Sequence, residues 1–201
     1  MSRIERIALG FTGASGARYG VRVLQTLLNV PGVEVHLTLS PAAREVLRLE
    51  EGIEVDLERF DPRVFGVNQS RSLIYHHHTN VGAPMASGSF RLKGMAIVPC
   101  SMGCVGRLAN GISGDLIERA GDVCLKERRR LVIVPRETPF STIHLENLLK
   151  LSRAGATVLP AAPGFYGKPA RIEELVDFIA ARVLDHLGVE HRLGPRWGEK
   201  E

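Results

Sequence analysis

The stretch Ile7-Ala8-Leu9-Gly10-Phe11-Thr12-Gly13-Ala14-Ser15-Gly16-Ala17 decides the fold. A short apolar run ends in a glycine-rich turn, after which Val21, Leu24, Leu27 and Leu28 recur on one side of a helical stretch. Outward from this strand, turn and helix, Val33, Val35, Leu37 and Leu39 alternate as a second strand. Ser40-Pro41 then supplies an N-cap and a proline for the first helical position. Met95 to Val98 reads as a buried strand, followed by Pro99-Cys100-Ser101-Met102-Gly103 and a helical segment running out at Asn110-Gly111. Leu116 to Arg130 reads as helix, Leu131 to Val134 as strand, and Ser141 to Ala154 as a helix closed by Gly155. Thr157 to Leu159 is a short strand and Arg171 to Leu187 an amphipathic helix. Residues 50 to 94 show little periodicity, and Glu190 through Trp197 reads as a tail over the core or a neighbouring subunit.

Parallel strands need crossover helices, so this alternation predicts an α/β fold with three layers: a Rossmann-like (flavodoxin-like) parallel sheet with helices on both faces. With 201 residues, a single domain over 1–201 is expected. Ligands of such sheets bind at the carboxyl ends of the strands, which selects residues 12 to 17, 40 to 41, 99 to 104, 135 to 140 and 160 to 168.

Composition narrows the function. Hydrophobic residues make up 44% and charged residues 24%, values of an ordinary globular chain that exclude a disordered one. No apolar run approaches a membrane span, and the start MSRIERIALGF lacks the apolar core of a signal peptide, so a cytoplasmic protein is expected. Cys100, Cys104 and Cys124 then read as thiols. The net charge of +4 does not mark a nucleic-acid binder, because aromatics are only 5% and do not interleave with basic residues. The basic residues gather instead as Arg119, Lys126, Arg128, Arg129, Arg130 and Arg136, a patch suited to a small anion.

Gly10, Gly13 and Gly16 do not match the dinucleotide spacing, and Leu39-Ser40 stands where a dinucleotide fold wants an acid, which disfavours NAD. The turn reads either as an anion cradle, with Ser15 and free helix amides, or as a turn that needs glycine for sterics alone. His76, His77 and His78 alternate in direction along an extended segment, so no metal site is expected from them. Arg136-Glu137 follows a strand between Pro135 and Pro139, and reads as a surface ion pair or as a proton-handling acid. Tyr166 lies on a glycine-bounded loop and Arg182 mid-helix.

Taken together, TGASGA with Arg18-Tyr19-Gly20, Ser87-Gly88-Ser89, Pro99-Cys100-Ser101, Glu118-Arg119-Ala120 with Lys126-Glu127, VPRETPFS, Ile143-His144-Leu145-Glu146-Asn147 and LPAAPGFYGKP resemble the flavin prenyltransferases of the UbiX type. The resemblance spans nearly the whole chain. It implies FMN held by Gly13, Ala14, Ser15, Ser40, Ser101, Met102, Gly103, Cys104 and Arg136. It further implies dimethylallyl phosphate gripped by Lys126, Arg136, Tyr166 and Arg182, without a metal, with Arg119, Ser87, Gly88 and Ser89 in support. Glu137 is then the candidate for proton transfers, Ser15 lies near the flavin N5, and Glu50 contributes from a neighbouring subunit. A homo-oligomer, by resemblance a dodecamer, and a UbiD-type decarboxylase as recipient of prenylated FMN follow. Two positions depart from the family pattern. Asn80-Val81-Gly82-Ala83 stands where a tryptophan is expected, and Pro41 where a lysine can occur.

Overall fold

A computed structural model describes residues 4–67 and 72–194. Its strands are β1 (Glu5–Phe11), β2 (Val33–Leu39), β3 (Leu73–Tyr75), β4 (Gly94–Cys100), β5 (Arg130–Pro135) and β6 (Thr157–Val158). All are parallel, in the order β3-β2-β1-β4-β5-β6. The helices are α1 (Ala17–Leu28), α2 (Pro41–Glu51), α3 (Met102–Ala109), α4 (Leu116–Lys126), α5 (Thr142–Arg153) and α6 (Ile172–Leu187). No helix among the described residues is long and apolar enough to cross a membrane.

Alternate strand residues leave the sheet on opposite faces, and both faces are covered. Leu9, Leu37, Val98 and Val134 pack with α1 and α6 on one side. Ala8, Met95, Ile97 and Ile133 pack with α3 and α4 on the other. Contact on the first side is close: a Cβ on Gly20 would stand 2.3 Å from the Val98 carbonyl and 2.8 Å from the Phe11 ring. The Arg22 guanidinium ties α1 to α6 by donating twice to Asp177, at 2.5 and 3.1 Å.

Two sequence expectations change. The helix read as Leu116 to Arg130 ends at Lys126, and Arg128 takes a positive φ of 54° before Arg130 opens β5. The run Lys126 to Arg130 has helix-favouring composition, but Arg129 turns away to donate to the carbonyls of Gly88 and Phe90. The weakly periodic region holds β3, a three-residue edge strand beside β2. Of the tail read from Glu190 to Trp197, Leu193 packs on the core, while Trp197 lies outside the described residues.

His76, directly after β3, turns inward against His36 of β2. The rings stack at 5.2 Å, with Nδ1 of His36 2.9 Å from Nε2 of His76. Glu34 accepts from both His36 Nε2 and Arg6. Burial lowers the His36 pKa against the opposing pull of Glu34, and burial together with His36 pushes His76 down to about 4.

A histidine whose folded pKa lies below its unfolded value of about 6.5 gives its full stability above that value. For His76 the contribution drains as pH falls from there towards about 4, by up to ~1.4 kcal/mol per pH unit, and His36 acts in the same direction. Urea midpoints should therefore fall between about pH 6.5 and about pH 4.5, and His76→Gln should flatten that fall. Gly20→Ala should cost about 2 kcal/mol in the same measurement, because the intruding carbon meets a backbone carbonyl.

Candidate active site

The strand order reverses between β1 and β4, so the crevice beyond their carboxyl ends is the natural ligand site. Two turns form its floor. The first, residues 12 to 16, is wedged against α2, where a Cβ on Gly13 would lie 2.4 Å from that of Ala42. The Ser40 amide donates to the Phe11 carbonyl, and the Ser40 hydroxyl caps α2 by accepting from Ala43 N–H at 3.1 Å. The second turn opens α3, where Ser101 is the N-cap and its hydroxyl accepts from Cys104 N–H at 3.3 Å. The amides of Met102 and Gly103 begin that helix and have no intrahelical partner. A tie between Arg107 and the buried Glu118, which also accepts from Gly114 N–H at 2.7 Å, holds α3 against α4.

At α1 the structure corrects the sequence reading. Gly16 is its N-cap in the left-handed region and carries no side-chain cap. The amides of Gly16 and Ala17 are engaged by Glu50 Oε2 of the same chain, at 2.8 and 3.0 Å. They are not free for a phosphate, and the contact forms within one chain because the last turn of α2 lies against the first turn of α1. Arg18 and Glu51 pair there at 2.8 Å. Burial would raise the Glu50 pKa, but the Ser15 hydroxyl, the two amides and the charge of Arg136 outweigh it and hold the carboxylate below its ordinary range. Ser15, Tyr19, Glu50, Arg136 and Ile172 line a cleft of about 440 Å³.

Arg136 and Glu137 follow β5, but no ion pair joins them among the described residues. The half-buried Glu137 instead accepts from Thr138 N–H at 3.0 Å. The three cysteines are free and buried. Contact with Cys100 and burial raise the Cys104 thiol well above its usual value, and burial pushes Cys124 to about 12, so neither is a thiolate nucleophile.

The residues expected to grip the substrate phosphate fall into separate places. Arg136 stands at the carboxyl edge of the sheet. Tyr166, edge-on to Phe178 at 5.8 Å, lies over α6, and Arg182 pairs with Asp185 at 2.8 Å further along that helix. Arg182 is ten residues from Ile172, about 15 Å along the axis. Lys126 ends α4 at the opposite edge, on Glu127 at 2.6 Å and beside Gly88. Arg119 is close to it, donating to the Ala86 carbonyl, and Ser87 and Ser89 share a hydroxyl contact of 2.9 Å. Since β5, roughly 20 Å long, separates Lys126 from Arg136, one chain does not bring them together. Sequence reading passed over Thr12, whose hydroxyl joins the two turns. It also missed the intrachain cap by Glu50, because no local pattern links positions 34 residues apart.

The chain belongs to the flavoprotein family, whose profile matches residues 1–184, in keeping with a parallel sheet whose turns gather at its switch point. Within that family it is similar to flavin prenyltransferase UbiX of Alkalihalophilus pseudofirmus, 51% identical over 199 residues and 98% of each chain. The solved structure of AnUbiX (PadA1) in complex with FMN and dimethylallyl pyrophosphate matches with a TM-score of 0.86 at 40% identity, over 99% of this chain and 100% of that one. A dodecameric FMN-dependent UbiX-like decarboxylase from Escherichia coli O157:H7 matches with a TM-score of 0.85 at 41% identity, over 96% of this chain and 100% of that one.

Glu50→Gln removes the charge that caps α1. Thermal unfolding at neutral pH should show a loss of about 1 kcal/mol. A group with a lowered folded pKa stabilises above its unfolded value and ceases to do so in acid, so the gap between native and variant should close as pH falls below that of an ordinary glutamate.

Proposed function

We propose that the chain, as one flavoprotein domain, is a metal-independent flavin prenyltransferase. It joins the dimethylallyl group of dimethylallyl phosphate to N5 and C6 of reduced FMN, and the prenylated FMN serves a UbiD-type decarboxylase as cofactor. The observation that carries this reading is the cleft where Ser15, Glu50 and Arg136 meet at the carboxyl edge of the sheet. Groups suited to a flavin phosphate share that edge: the amides of Met102 and Gly103, the Ser40 hydroxyl and the Gly13–Ser15 turn. With Glu50 filling the α1 position, the α3 helix start is where a phosphate finds unpaired amides.

Bound reduced FMN supplies the nucleophilic ring atoms, and dimethylallyl phosphate supplies the electrophilic carbon. Around them the chain performs electrostatic and proton-handling work. Arg136, Lys126, Tyr166 and Arg182 take up the charge of the departing phosphate, a set of donors strong enough to dispense with a divalent ion. Lys126, with Arg119 and Ser87–Ser89, comes from a neighbouring copy, because it sits at the far edge of its own sheet. Ser15, held by Glu50, serves the flavin N5, and Glu137 accepts and returns protons.

Such a shared site requires a homo-oligomer, and we assign a dodecamer. Ile143, Leu145 and Leu149 of α5 are apolar and 68%, 55% and 49% exposed, which gives a neighbouring copy a surface to cover. The work is placed in the cytoplasm, where reduced flavin is available.

Anaerobic incubation with reduced FMN and dimethylallyl phosphate should yield flavin heavier by one five-carbon unit. Recovery of unmodified flavin alone would refute the reading, and release of carbon dioxide from a cysteine-bearing peptide would favour a decarboxylase of the same fold. Glu137→Gln should slow product formation about 10²- to 10⁴-fold with FMN affinity unchanged.

A further inference from the structure

The ladder between β1 and β4 is regular only from Ile7↔Gly94 to Gly10↔Ile97. Beyond it β4 shifts register against β5, and Pro99 offers no N–H to a neighbour. The two turns that floor the site thus begin where strand pairing has stopped. One side chain spans the gap. Thr12, only 6% exposed, donates its hydroxyl to the Pro99 carbonyl at 2.9 Å and accepts from Ser101 N–H at 2.7 Å. Its own N–H donates to the same Pro99 carbonyl at 3.2 Å. Ser101 is the N-cap of α3, so the residue that anchors its amide also sets the position of the Met102 and Gly103 amides relative to the Gly13–Ser15 turn.

We propose that Thr12 is a positioning residue: its buried hydroxyl fixes the spacing between the two turns, and through that spacing the affinity for the phosphate of FMN. The proposal rests on the flavin reading above. Thr12 does not line the cleft and acts only through Ser101 and Pro99. The hydroxyl both donates and accepts, a pairing that valine, of the same shape, lacks and serine keeps.

The test compares Thr12→Val with Thr12→Ser by flavin fluorescence titration, well below the unfolding temperature. Thr12→Val should weaken FMN binding about 10- to 30-fold, as expected for a buried hydrogen-bonding group lost from a preorganised site, while Thr12→Ser should stay within about threefold of native. Native affinity in Thr12→Val, with only a lower unfolding temperature, would make the role structural and overturn the proposal. Equal losses in both variants would overturn it as well, since the hydroxyl would not be the cause. If Thr12→Val does not fold, hydrogen exchange on the native protein decides. Coupling is reciprocal, so FMN should slow exchange at Ser101 as well as at Met102 and Gly103, and an unchanged Ser101 would refute the claim. If the native protein holds no FMN, the flavin reading fails separately. The spacing claim then stands or falls on whether the Ser101 amide exchanges slowly in the native chain and fast in Thr12→Val.

Discussion

One directional constraint orders the molecule: six strands run the same way, so every connecting helix must return against them. Each turn that follows a strand therefore lies at one edge of the sheet, and each helix ends at the other. The first consequence is the crevice, where the turns after β1, β2, β4 and β5 bring Ser15, Ser40, Ser101 and Arg136 to a common edge. The second is the position of Lys126, which closes a returning helix and is carried to the far edge with Arg119 and the Ser87–Ser89 segment. The same rule that gathers Ser15, Ser40, Ser101 and Arg136 at one edge sends Lys126 to the other.

Burial on both faces leaves little room for polar groups, and of the buried ones described all but the Thr38 hydroxyl are tied to partners. Glu118 is held by Arg107 and Gly114, and His36 by His76 and Glu34, with Phe90 edge-on to His36 at 4.9 Å. These ties sit on the α3–α4 side, where small residues such as Gly10, Gly121 and Ala120 let the helices approach the strands. The opposite side is held by apolar packing and by the close seat of Gly20 under the sheet.

Much of the architecture was legible because buried parallel strands and the helices over them have different periods. The runs at Ile7, Val33, Met95 and Leu131 and the stripe from Ile172 to Val183 are strands and helix as read. The failures have physical causes. The edge strand β3 is only three residues long and draws its identity from pairing with β2, which no local pattern encodes. The end of α4 is set by a tertiary demand on Arg129, against the helical preference of its neighbours. At the site, residue types and order pointed to the turns that the structure gathers at the carboxyl edge of the sheet. The partners of those residues did not follow from order alone: Glu50 reaches back 34 positions, Thr12 joins segments 87 apart, and Glu137 turns to its own neighbour rather than to Arg136.

The cap that Glu50 places on α1 acts as a tethered counter-anion. A helix start close to a flavin crevice is ordinarily an attractive perch for any phosphate, yet here the seat is taken from within, at an effective concentration no diffusing ligand matches. One carboxylate thus makes the pocket single-valued. It leaves the start of α3, whose first amides have no intrahelical partner, as the helix end on this edge still open to an anion.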